Sequence, residues 1–137
     1  NLHLTFRLAA CVAGLLLFTG IVAAGEKKLM HCFAFTAVES ASDADWQAFF
    51  RATDALPGKI DGVSRVWYGK LRSPLTITRV NPKGEATKVQ RQWGVCMEMA
   101  DEAALKAYAA DPAHKQWNEA YSKVRQPGTT TFDILGQ

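Results

Sequence analysis

Tyr108-Ala109-Ala110-Asp111-Pro112-Ala113-His114 marks the end of one helix and the start of another, and sets two hydrogen-bonding side chains in apolar surroundings. Proline disfavours helical geometry in the residue before it, yet suits the first position of a new helix, where a missing N–H costs nothing. Asp111 is therefore read as an N-cap and Pro112 as the first helical residue. His114 then stands in the third position, where the positive end of the helix dipole favours a neutral imidazole over the cation. Such an imidazole gives or takes a proton at ordinary pH. Before this junction, Asp101 caps a short helix running through residue 110, with Leu105 and Tyr108 on its inner face. After it, His114, Trp117, Tyr121 and Val124 recur at steps of three, four and three, which is one stripe of a single helix.

Further out, residues 29–37 alternate Leu29, His31, Phe33 and Phe35 with Met30, Cys32, Ala34 and Thr36. Both sets are largely apolar, which predicts a central strand covered on both faces. Residues 40–56 carry Ser42 as N-cap, Asp45 three residues on, and Trp46, Phe49, Phe50, Thr53 and Leu56 at helical spacing. Pro57-Gly58 is read as the stop of that helix and Asp61-Gly62 as a turn. A strand is expected over residues 63–71. Ser73-Pro74 interrupts it, and the chain then runs out and back through Asn81-Pro82-Lys83-Gly84 as a long, projecting hairpin. On the returning strand Trp93, Val95, Met97 and Met99 share one face, with Gly94, Cys96 and Glu98 on the other. Pro127-Gly128 is expected to end the last helix, and residues 129–135 to form the last strand.

The order strand, helix, strand, strand, helix, strand is the split β-α-β arrangement: an α+β, ferredoxin-like fold with a four-stranded antiparallel sheet and its helices on one face. The other face is left bare. Apolar residues there call for cover from the same face of a second copy, which predicts a two-fold homodimer.

With 137 residues and 48% apolar content the chain holds one domain, read as residues 29–137. Its net charge of +3 comes from scattered Lys and Arg, and the aromatics sit at core spacing; this argues against nucleic-acid binding. Residues 8–24 are 17 nearly unbroken apolar residues after Arg7, followed by Gly25-Glu26-Lys27-Lys28. A positive residue, an apolar core and small residues at a cleavage site make residues 1–24 a signal peptide, with a retained membrane anchor as the competing reading. The domain is thus expected to be exported, periplasmic or secreted, touching a membrane only through residues 1–24 if these are retained. Cys11 belongs to the leader. Cys32 and Cys96 are either two small buried hydrophobes or, if their strands are neighbours, a disulfide. Neither has a partner at zinc-ligand spacing, and no metal site is expected.

The chain resembles the stress-responsive dimeric α/β-barrel (Dabb) domain family, a ferredoxin-like fold whose sheets pair into a barrel. The resemblance lies in Met30-His31-Cys32-Phe33-Ala34-Phe35, in Trp93-Gly94-Val95-Cys96-Met97-Glu98-Met99, in residues 104–114 and in the final Thr131-Phe132-Asp133. Together these pieces span nearly everything from residue 30 to residue 134. The family includes a plant polyketide cyclase that works without a cofactor. His31, Tyr108 and His114 are similar in placement to its polar site residues, and Phe49 and Phe50 to its paired phenylalanines. Asp111 and Trp93 stand where that enzyme has histidines, and Thr53 where it has a pocket tyrosine, so the pocket shape and polar lining differ.

These residues define a candidate site between sheet and helices. Phe33, Phe35, Phe49, Phe50, Val95 and Trp117 are expected to line it, with His31, Tyr108 and His114 as its polar groups, and a small apolar or aromatic carbonyl compound as its ligand. No cofactor is expected. If the site is catalytic, the reaction is that of a cofactor-free lyase or cyclase. His114 is then the general base beside a carbonyl, Tyr108 the donor to the enolate oxygen, and His31 an orienting group. An antibiotic-biosynthesis-type monooxygenase is a further alternative, which the His31 and Pro112-Ala113-His114 pattern fits less well.

Overall fold

The computed structural model describes residues 28–137. The leader expected over residues 1–24, with Cys11, lies outside the described residues. The chain forms β1 (Leu29–Ala37), α1 (Asp43–Asp54), α2 (Leu56–Lys59), β2 (Val63–Val80), β3 (Ala86–Met99), α3 (Glu102–Ala110), α4 (Pro112–Val124) and β4 (Arg125–Leu135). The strands make one sheet in the order β2-β3-β1-β4, and β1 is antiparallel to both of its neighbours. This is the expected ferredoxin-like sheet, with β1 at its centre.

Alternation along the strands decides what each face carries. Leu29 pairs with Met99, His31 with Met97, Phe33 with Val95 and Phe35 with Trp93; all of these side chains face the helices. Phe35, Phe49, Met97, Met99 and Val124 are fully buried. Burying each such side chain contributes about 1.5–3 kcal/mol. Helix α1 starts in a reciprocal cap: Asp45 N–H donates to Ser42 Oγ at 3.2 Å, and Ser42 N–H to Asp45 Oδ2 at 3.1 Å. The residues of the opposite sheet face include Trp67, Phe132 and Ile134, exposed by 57%, 47% and 55%. On that face Cys32 and Cys96 sit directly across the β1–β3 ladder, 4.2 Å apart at Cα, and form a disulfide. Of the two readings open from sequence, the bonded one holds.

Three local expectations are corrected. Pro57-Gly58 does not stop the helical path: Leu56–Lys59 makes one further turn, and Pro57 is tolerated because it sits near that turn's start, where its N–H is not needed. Ser73-Pro74 does not break β2; the ladder instead shifts register between Lys70 and Leu75, which absorbs a residue that has no N–H to give. Pro127-Gly128 does not end α4. The helix stops at Val124, and Arg125 already pairs with Ala37, so Pro127 and Gly128 lie inside β4, where Gly128 takes φ +92°.

Candidate functional site

Three elements bring the polar residues together. Asp111 ends α3 and caps α4, its carboxylate accepting from Ala113 N–H at 2.7 Å, with extended backbone (φ −69°, ψ 135°) ahead of Pro112. This sharp junction folds Tyr108, near the end of α3, against His114, in the third position of α4, with 4.4 Å between ring centroids. The His31 ring comes from β1, 6.0 Å from Tyr108. His114 stacks on Trp117 at 5.7 Å and 20°. The two imidazoles and the phenol form a wall shared by two hollows. One, of about 520 Å³, is also lined by Leu29, Leu105 and Asp133; the other, of about 180 Å³, by Phe33, Trp117, Tyr121 and Thr129.

Electrostatics assign the protons. Burial pushes the His114 imidazole below its ordinary pKa, and nearby His31 adds to this, against opposing effects of the Ala109 backbone and Asp111. The neutral form expected from the helix dipole thus has desolvation as its leading cause. Burial also pushes the Tyr108 phenol well above its usual value, so it remains an O–H donor. His31 Nδ1–H donates to Asp133 Oδ1 at 2.6 Å, since a carboxylate oxygen can only accept, and this bond orients the ring.

The aromatic residues expected around the site divide. Phe33 and Trp117 line the smaller hollow. Phe35, Phe49 and Val95 belong to the packed core, and Phe50 borders a separate depression with Trp46 and Trp93 while stacking on Tyr68 at 5.2 Å. Sequence reasoning named Asp133, Tyr121 and Thr53 but gave none of them a role at the site. Asp133 was findable once β1 and β4 were neighbours, because it shares a face and a register position with His31. Tyr121 lies on the His114 stripe and donates or accepts at Thr129 Oγ1, 3.0 Å away. Thr53 holds the Trp117 indole in place: Trp117 Nε1–H donates to its Oγ1 at 2.9 Å, and the hydroxyl in turn donates to the Phe49 carbonyl at 2.8 Å. Among the described residues no group of three or more His, Cys, Asp or Glu is placed to hold a metal ion.

No protein-family model matches the chain, and no curated protein matches it in sequence. Solved structures do match in fold. A Dabb family protein with a ferredoxin-like fold from Mesorhizobium loti is 18% identical, with TM-score 0.58 over 82% of this chain and 99% of that one. A dimeric ferredoxin-like protein of unknown function from Bacteroides fragilis is 19% identical, with TM-score 0.55 over 79% and 95%. The hydroxynitrile lyase from Passiflora edulis is 8% identical, with TM-score 0.58 over 82% and 95%. The fold expected from the Dabb resemblance is therefore the fold found, and at these identities the likeness is one of architecture.

Proposed function

We propose that the protein is an exported, homodimeric α/β-barrel domain that binds a small apolar or aromatic carbonyl compound against His31, Tyr108 and His114. The observation that carries this reading is the convergence of two imidazoles and a protonated phenol on one wall, beside apolar Phe33 and Trp117. A phenol donor and a neutral imidazole suit a carbonyl oxygen and an adjacent hydroxyl. The exposed Trp67, Phe132 and Ile134 support pairing of two sheets, as does the dimeric state of the Bacteroides fragilis neighbour. Export is supported by the apolar run over residues 8–24 and by the disulfide, which suits an oxidising compartment.

A second reading, cofactor-free lyase or cyclase chemistry, is favoured by one further contact. The carboxylate that accepts from His31 Nδ1–H orients that ring as a general base would need, and imidazoles lie 6.0 and 4.4 Å from the Tyr108 ring between centroids. One takes a proton from carbon beside the carbonyl. Tyr108 O–H then donates to the oxygen as it becomes an enolate.

Titration with hydroxylated benzaldehydes and aryl ketones, followed by Trp fluorescence and calorimetry, tests the binding reading. Saturable binding that weakens about tenfold in Tyr108→Phe supports it, since a lost hydrogen bond is worth about 1 kcal/mol or somewhat more; absence of binding across the series overturns it. Exchange of ketone α-protons with D₂O, followed by NMR, tests the second. Protein-dependent exchange that disappears in both His31→Gln and His114→Gln supports a lyase, and exchange at the buffer rate removes it.

A further inference from the structure

At the opposite end of the sheet from the Asp101 turn, Arg91 of β3 is 2% exposed. Its Nη1–H donates to Thr36 Oγ1 at 3.0 Å and its Nε–H to Thr130 Oγ1 at 3.4 Å. Both partners are neutral hydroxyls. Guanidinium has five N–H donors and does not lose its proton in proteins. Among the described residues, no carboxylate is ion-paired with it.

A second guanidinium comes to the same place. The β2–β3 ribbon brings Arg79 over the Pro127-Gly128 stretch of β4, so that a side-chain carbon placed on Gly128 would lie 3.5 Å from Arg79 Nη2 and 3.4 Å from Arg91 Nη2. The bare α-carbon of Gly128 thus lets the ends of both guanidinium groups come close to the same backbone position. Burial and then Arg79 both push the Arg91 guanidinium below its usual pKa, while Tyr121 alone opposes them. A buried guanidinium with a second, exposed one close by is unfavourable unless an anion offsets the like charges, and a planar fork matches the oxygens of carboxylate or phosphate.

We propose that Arg79 and Arg91, over Gly128, form a binding site for a small oxyanion of the carboxylate or phosphate class. The site stands apart from the aromatic wall, sharing none of its residues. Arg91 is the fixed half, held by Thr36 and Thr130. Arg79, exposed on the ribbon, is the half that closes over the ligand.

Thermal unfolding of the full chain in inorganic phosphate or acetate, against chloride at equal ionic strength, tests this. A tenfold excess over Kd is expected to raise Tm by about 5 °C. The gain should vanish in Arg79→Ala, whose side chain is exposed and whose loss leaves the fold intact. Arg91→Gln should also abolish it, and should itself lower Tm in chloride. An equal Tm in all three salts overturns the proposal, as does a gain that survives in Arg79→Ala. If instead Arg79→Ala weakens self-association and phosphate has no effect, the counter-charge is a carboxylate of a second copy, and the small-anion site is refuted.

Discussion

His31 and Asp133 face one another across the β1–β4 ladder, Nδ1 to Oδ1 at 2.6 Å, the shortest side-chain link between the sheet's centre and its edge at the site. The imidazole is mostly buried and the carboxylate 38% exposed, so the pair orients more than it stabilises. Asp133→Ala is expected to cost less than about 1 kcal/mol in denaturant unfolding. In NMR spectra of the ring nitrogens, His31 should change from one Nδ1–H tautomer to a mixture. An unchanged tautomer would show that another partner sets it.

The depressed pKa of His114 has a signed consequence. In the unfolded chain the imidazole protonates near its usual 6.5, whereas the folded protein resists that proton. Its contribution is therefore fully present above pH 6.5 and is lost as pH falls through the lower folded value. Tm should decline on acidification from pH 7 toward pH 5, and His114→Gln should flatten that part of the profile. Asp45 and Glu98, whose carboxyls hydrogen bonds hold below their usual range, act in a separate window at lower pH.

Thr53 accepts the indole N–H of Trp117 where both are buried. Thr53→Val keeps the shape and deletes the acceptor, leaving that N–H without a partner. Unfolding experiments should show a loss of about 1–3 kcal/mol, and Thr53→Ser should recover most of it.

The disulfide closes a loop with a sequence separation of 64 residues. Chain entropy in the unfolded state sets its worth at about 2–4 kcal/mol. Cys32→Ala with Cys96→Ala should lower the denaturant midpoint accordingly, and dithiothreitol should give the same shift in the native chain.

Trp67 and Phe132 test the assembly. Each is about half exposed on the open sheet face, so replacing one with aspartate disturbs little within a protomer. Trp67→Asp is expected to halve the mass measured by sedimentation, with the far-ultraviolet spectrum unchanged.

Much of this was legible because the periodicities are strong. Trp46, Phe49 and Thr53, and separately His114, Trp117, Tyr121 and Val124, mark helix faces that pack as their spacing implies. The junction at Asp111 follows from what proline does to the residue before it. Strand register was less legible. Asp133 meets His31 only because of pairing between segments a hundred residues apart, which no local pattern encodes. The spread of Phe35, Phe49 and Val95 into the core, away from the hollows, has the same origin: an apolar side chain facing inward looks alike in sequence whether or not space remains beside it. Pro57, Pro74 and Pro127 misled because each falls where its missing N–H is not needed.

In β1 adjacent residues serve opposite purposes, Cys32 crosslinked below the sheet and His31 presented above it. Sliding the strand by one residue would exchange them, turning sulfur toward the aromatic wall and imidazole toward solvent or a second copy. A covalent bond on one surface thus acts as an alignment pin for the side chains on the other. Redox conditions acting on one surface would still decide how faithfully the other is assembled.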